Sequence, residues 1–173
     1  LPTDGLVTGK RPLQALGLPE VATLGVANAA AKLAAGWVAV DVATSRDYRL
    51  GHIPSAWWTT RARLDAAVKL LPEAAGYLAT SEDGVVGRYA AAELAALTGK
   101  PAAALDGGTA AWKAAGKDLE MGETRHADEP DDVWLKPYER KGVVEDFMKE
   151  YLTWEIDLIK QVERDDLVSF RSF

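Results

Sequence analysis

The side chains best placed to do chemistry gather in one short segment, Thr80-Ser81-Glu82-Asp83-Gly84-Val85-Val86. It joins an apolar run, Tyr77-Leu78-Ala79, to an alanine-rich helical stretch. A loop between a strand end and a helix N-terminus collects backbone N–H groups and the positive end of the helix dipole, so it can hold an anion or activate a nucleophile. Ser81 opens that loop. A serine nucleophile needs a general base, yet no histidine lies near Ser81 in sequence and the segment is not a Gly-x-Ser-x-Gly turn. Ser81 is therefore read as a residue capping the amides of the following helix, with Glu82 and Asp83 adding two negative charges beside it.

Other reactive groups are scarce. The chain has no cysteine, which excludes disulfides, thiolate nucleophiles, iron–sulfur ligation and zinc–thiolate sites within it. Its two histidines, His52 and His126, lie far apart, so a histidine-rich metal site is not expected, and no cofactor is called for. His52, within Gly51-His52-Ile53-Pro54, reads as a turn residue bonded to backbone, and Asp41, at a strand end, as the holder of an adjoining loop. Gly107-Gly108 is followed by no lysine-serine or lysine-threonine pair, so it reads as close packing at a tight turn rather than a phosphate cradle. The acidic residues from Asp128 to Asp132 lack the alternating ligands and central glycine of a calcium loop and read as a solvated linker. Trp57-Trp58 reads as one core residue and one rim residue.

These groups need a scaffold, and the hydrophobic pattern supplies one. Val26 to Ala35 is a helix former stopped by Gly36, and Val38 to Val42 is a buried-strand run. Thr60 to Leu70 has helical spacing and is closed by Pro72. Gly76 to Ala79 is a strand, Gly87 to Leu97 a helix ended by Gly99, Ala102 to Leu105 a strand, and Thr109 to Ala115 a short helix. Strands alternating with helices predict an α/β fold, a parallel sheet covered by helices on both faces. Beyond an irregular acidic stretch, Phe147, Tyr151, Trp154 and Leu158 recur at helical spacing, with Met148, Leu152, Ile159 and Val162 widening the stripe. This predicts a C-terminal amphipathic helix of about five turns that folds back over an apolar surface.

The predicted organisation is a linker or arm at 1–22, the α/β domain at 23–122, and an acidic linker with the amphipathic helix at 123–173. The 173 residues carry 20 basic and 26 acidic side chains for a net charge of −6, which disfavours nucleic acid and anionic membranes as partners. No apolar run reaches the length of a membrane span. A start at Leu1 without methionine or leader reads as a processed or excised boundary.

Three passages, in order, carry a resemblance. They are Val40-Asp41-Val42 with Tyr48 and Gly51-His52-Ile53-Pro54-Ser55-Ala56, then the loop at Ser81, then Leu105-Asp106-Gly107-Gly108 leading to Ala111-Trp112 and Ala115-Gly116. Together they resemble the rhodanese family, the thiosulfate sulfurtransferases, over roughly Val26 to Gly116. The resemblance implies a loop that in active members opens with a persulfide-carrying cysteine, has a glycine three positions on and often an arginine five positions on. Ser81 then stands at the cysteine, Gly84 at the glycine and Val86 at the arginine.

The expectation is a catalytically inactive rhodanese-like domain, with no catalytic residue in the degenerate loop Ser81, Glu82, Asp83, Gly84, Val85 and Val86. It would serve as a structural or interaction module of a larger thiosulfate-sulfurtransferase-like protein, cytoplasmic and bacterial. Its expected partners are other rhodanese domains of the parent chain or a second subunit. The alternative is an active sulfurtransferase whose catalytic cysteine lies in another domain of the parent. A third reading makes the emptied loop an anion sensor, which the charges of Glu82 and Asp83 oppose.

Overall fold

The computed structural model describes residues 17–140 and 142–164. It forms two compact units, Leu1–Val133 and Trp134–Phe173, taken separately below. The first is built on five strands: β1 Thr23–Leu24, β2 Trp37–Asp41, β3 Trp57–Trp58, β4 Gly76–Thr80 and β5 Ala102–Leu105. All pair in parallel, in the order β1-β5-β4-β2-β3. The apolar runs that predict strands are those that end up inside. All five residues of β4, the central strand, are buried.

Alternation along the strands divides the core between the two faces of the sheet. Ala39, Leu78 and Leu105 join Ala29 of α1 (Val26–Ala34), Tyr48 of α2 (Ser45–Leu50) and Trp112 of α5 (Gly108–Ala114) in one cluster. Val40, Tyr77, Ala79 and Ala104 join Leu64 of α3 (Leu64–Ala67) and Ala90, Ala91 and Leu94 of α4 (Val85–Thr98) in the other. A side chain such as Leu94, fully buried, contributes about 2 kcal/mol by leaving water. The α/β architecture is thus as the sequence predicts.

Two segments differ from the reading of the sequence. The helix expected over Thr60 to Leu70 is only a 3-10 turn, Arg61–Arg63, followed by the single turn of α3. Asp128 is the reason: its carboxylate accepts from Thr60 N–H at 3.1 Å and from Thr60 Oγ1 at 2.5 Å, and pairs with Arg63 at 2.8 Å. Held there, Thr60 stays extended and the helix starts late. The same contacts show that residues 123–133 pack on the domain instead of leaving it as a linker. Trp58 donates its N–H to Arg125 O at 2.8 Å, and Ala127 returns one to Trp58 O at 2.9 Å.

Burial alone would push the Asp128 carboxyl up, but the Thr60 bonds and Arg63 outweigh it and hold it below the ordinary range. Asp128→Ala should therefore destabilise the domain by about 1 to 3 kcal/mol, while the exposed Glu129→Ala should be nearly silent. Denaturant titration of the two variants checks this.

At the N-terminal side residues 1–16 of the expected arm lie outside the described residues. By Val21 the chain is already part of the fold: Val21 packs on the second core cluster and Ala22 O accepts from Ala104 N–H at 2.9 Å.

The second unit is a 3-10 turn, Pro137–Glu139, and helix α6, Val144–Val162. Trp134 and Trp154 meet at 6.2 Å between ring centres, and the Arg140 guanidinium lies 4.1 Å over the Phe147 ring. These contacts half-bury Phe147 and Tyr151, two residues of the predicted stripe. Among the described residues of this unit, Met148, Leu152 and Ile159 of the stripe are exposed, as is Ile156 beside it, while Phe147, Tyr151 and Trp154 line a pocket with the segment from Trp134 to Arg140. No described helix is long and apolar enough to cross a membrane.

Candidate functional site

The turn after β4 and the turn after β5 meet at two glycines. Gly84 has φ +82° and Gly108 has φ +61°, both in the left-handed region that side chains with a Cβ avoid. A Cβ on Gly84 would lie 2.7 Å from Leu105 O and 2.8 Å from Gly108 N; one on Gly108 would collide with Ser81 O and Gly84 N. The two turns therefore sit backbone against backbone. The first turn of α5 locks them, with Thr109 N–H donating to Ser81 O and Ala110 N–H to Glu82 O, each at 2.9 Å.

Ser81 is buried inside this cradle. Its Oγ accepts the N–H of Gly87, in the first turn of α4, at 3.2 Å. Asp83 Oδ1 accepts from Val85 N–H at 3.0 Å, so the aspartate caps the helix start while its side chain faces solvent with that of Glu82. Val86 is also exposed. Among the described residues no carboxylate or imidazole bonds to the Ser81 hydroxyl, so nothing there can take its proton. The arrangement keeps the amide-lined anion cradle and presents a hydroxyl in it.

Beside the cradle, between α2 and α5, lies a cavity of about 270 Å³ walled by Asp41, Asp47, Tyr48, Glu82, Thr109 and Lys113. Asp41, at the end of β2, has only 1% of its surface exposed. Its Oδ1 accepts the N–H of Ala43 at 2.9 Å, which holds the adjoining loop. Burial, and less so the charge of Asp47, outweighs that bond and pushes the carboxyl up to about 7.

A structural polar cluster lies behind α2. His52 is fully buried, stacked on Tyr48 at 3.7 Å between ring centres, with Nδ1 2.7 Å from Tyr48 O. Burial lowers its pKa against the opposing pull of that bond and of Glu120, which keeps it neutral. His126 lies on the same tyrosine, at 5.7 Å, and on Trp58, at 5.2 Å. The two histidines that are distant in sequence are thus brought together, yet no group of three or more metal-ligating side chains exists among the described residues. Glu120 ties the cluster down: it accepts from Ser55 N–H at 2.7 Å and pairs with Arg125 at 2.8 Å, and these bonds lower its carboxyl to about 2.

The rhodanese-like domain profile matches residues 26–115, more than half of the chain, including the loop from Ser81 to Val86, Asp41 and Thr109. This chain belongs to the rhodanese family. Among solved structures it is similar to a thiosulfate sulfurtransferase from Pseudomonas aeruginosa, with 37% identity and a TM-score of 0.76 over 86% of this chain. The chain spans 28% of that protein's length. A protein of unknown function from Rhodopseudomonas palustris matches 66% of this chain and 98% of its own at 26% identity and a TM-score of 0.54. A rhodanese-related protein from Thermoplasma volcanium shares the fold, covering 58% of this chain and 98% of its own at 18% identity and a TM-score of 0.52. No curated protein matched the chain.

In this rhodanese-like domain the structure places Ser81 to Gly84 in the turn between β4 and α4, and Val85 and Val86 in the first turn of α4. Three contributors escape a linear reading. Thr109, whose Oγ1 lies 3.1 Å from Thr80 Oγ1, closes the floor of the cradle from 29 residues away. Glu120 and Asp128 lie in the acidic stretch, where charge alone signals solvent. Only the partners brought to them by the fold, Ser55 and Arg125 for one and Thr60 and Arg63 for the other, distinguish them from their neighbours.

Proposed function

We propose that this chain is a catalytically inactive rhodanese-like domain, a structural or interaction module of a larger thiosulfate-sulfurtransferase-like protein. The observation that carries the reading is Ser81 in a retained cradle, with its oxygen bonded to Gly87 N–H and no thiol anywhere in the chain. Sulfur transfer needs a thiolate that attacks the donor and then holds the outer sulfur as a persulfide. A serine hydroxyl is a far weaker acid and forms no stable bond of that kind. The exposed charges of Glu82 and Asp83 and the absence of an arginine at Val86 further oppose an anionic donor.

The expected result is direct. Purified chain given thiosulfate and cyanide should form thiocyanate no faster than buffer, and Ser81→Ala should behave identically. Turnover by the chain that Ser81→Ala abolishes would overturn the reading.

A second reading has its own observation. The Pseudomonas protein is named a thiosulfate sulfurtransferase and this chain spans 28% of its length, which supports the alternative that the module is part of an active parent whose catalytic cysteine lies in another domain. Sulfur transfer by the parent that depends on such a cysteine distinguishes the two. The proposed partners are accordingly other rhodanese domains of the parent or a second subunit, in a bacterial cytoplasm, rather than nucleic acid or membrane. The net charge of −6 supports that choice.

A further inference from the structure

The cavity between α2 and α5 carries the wrong charge for the family's sulfur anions. Three carboxylates, Asp41, Asp47 and Glu82, face it against a single Lys113. Four of the backbone donors nearby are already committed: Thr109 and Ala110 N–H to the loop carbonyls, and Val85 and Gly87 N–H to Asp83 and Ser81. Asp41 provides the second, independent observation. It is buried at the cavity wall with 1% of its surface exposed, its Oδ1 takes the Ala43 N–H, and among the described residues no donor reaches its other oxygen. A buried carboxylate with an unused acceptor is costly unless something supplies a donor or a charge. The rest of the wall is suited to methylene groups, since Leu50, Leu119, Ala43 and Ala110 line it.

We propose that this cavity binds an alkyl cation, a guanidinium or ammonium on a short aliphatic arm, through the carboxylates of Asp41, Asp47 and Glu82. At about 270 Å³ it lies at the small end of ligand sites and suits one long side chain or a small amine. The arm lies along the leucines and the charged head meets the acids, the division of labour by which long cationic side chains commonly bury themselves. The inference deepens the interaction-module reading by giving its site a ligand class.

Ionisation of Asp41 gives the site a pH signature. Burial pushes its carboxyl up to about 7, and a bound cation stabilises the charged form. The groups facing Asp41 are Asp47 and Tyr48 from α2, Glu82 from the loop and Lys113 from α5, and burial pushes the Tyr48 phenol above its ordinary value. Affinity should therefore rise about ten-fold between pH 6 and pH 8.

The test is an amide-resolved NMR titration of the full chain with butylguanidinium, with neutral butylurea as control and the peptide Gly-Gly-Arg-Gly-Gly as a second arm. The expected result is saturable binding of butylguanidinium with shifts at Asp41, Asp47 and Lys113, none with butylurea, and the ten-fold gain with pH. Asp47→Asn and Glu82→Gln should each weaken binding about three- to ten-fold, and Asp41→Asn should remove the pH dependence. Peptide binding tighter than butylguanidinium identifies a protein side chain as the source, and equal or weaker binding identifies a free amine. Equal responses to butylurea and butylguanidinium, or no effect of Asp47→Asn and Glu82→Gln, would overturn the proposal even if Asp41→Asn fails to fold. Sulfur transfer by the wild-type chain would instead sink the inactive-module reading, and the titration would still decide the cation site.

Discussion

Gly108→Ala is expected to destabilise the rhodanese-like domain by about 3 to 5 kcal/mol, a large share of the stability of a domain this size. Two costs add. Alanine in the left-handed conformation of Gly108, at φ +61°, is strained by about 1 kcal/mol or more. Its Cβ would collide with Ser81 O and Gly84 N and would lie 2.8 Å from Glu82 O, all backbone atoms. Backbone cannot rotate away as a side chain can, and the loop is fixed from the other side by the bonds from Thr109 and Ala110. Gly116→Ala separates the two costs, because Gly116 has φ +70° but no atom within 4 Å of the place a methyl group would take. It should lose only about 1 kcal/mol. Denaturant melts of both variants measure the difference, and equal losses would show that the packing of the two turns is not what holds the cradle.

Asp41→Asn should make the domain more stable than wild type, by an amount that grows as pH rises from about 4 to about 7 and is constant above. The Asp41 carboxyl goes from its ordinary 3.8 to about 7 on folding, chiefly by burial. Between those values the folded state binds more protons than the unfolded one, so wild-type stability falls as pH rises through the interval and levels off above about 7. Asparagine keeps the acceptor that Ala43 N–H needs and carries no charge to bury. The variant should match wild type to within about 1 kcal/mol near pH 4 and exceed it by a few kcal/mol near pH 8. His52 acts in the opposite sense, because burial lowers its pKa and its unfolded state protonates first as pH falls through about 6.5. His52 is common to both proteins, so the difference between them isolates Asp41. A pH-independent difference would contradict the assignment of a buried, neutral carboxyl at this position.

The architecture was legible because the sheet is internal and parallel. Runs such as Ala39 to Val42 and Tyr77 to Thr80 are buried on both sides, and the glycines that follow the helices punctuate them clearly. The loop from Ser81 to Val86 was legible for the same reason, since it is local to one strand and one helix. What the sequence could not show is long-range. Asp128 acts on Thr60 and Arg63 across more than 60 residues, so a stretch of ordinary helical spacing at Thr60 to Leu70 is cut short by a carboxylate that looks like linker. His52 and His126 become neighbours through Tyr48, a contact invisible to spacing. The charge of the cavity, likewise, is the joint product of Asp41 on β2, Asp47 on α2 and Glu82 in the loop. In the second unit the periodicity identified a helix correctly, but an apolar arc that wide cannot reveal which residues pack against the Trp134 to Arg140 segment.

The central claim is that this domain keeps the sulfur-carrying cradle and lacks the sulfur chemistry. The most direct measurement is sulfur transfer from thiosulfate to cyanide by the wild-type chain beside a Ser81→Cys, Val86→Arg double variant, with intact-protein mass recorded after thiosulfate alone. The account predicts a silent wild type and a double variant that gains the mass of one sulfur atom and turns over. Transfer by the wild-type chain, or a double variant that folds yet takes up no sulfur, would contradict it.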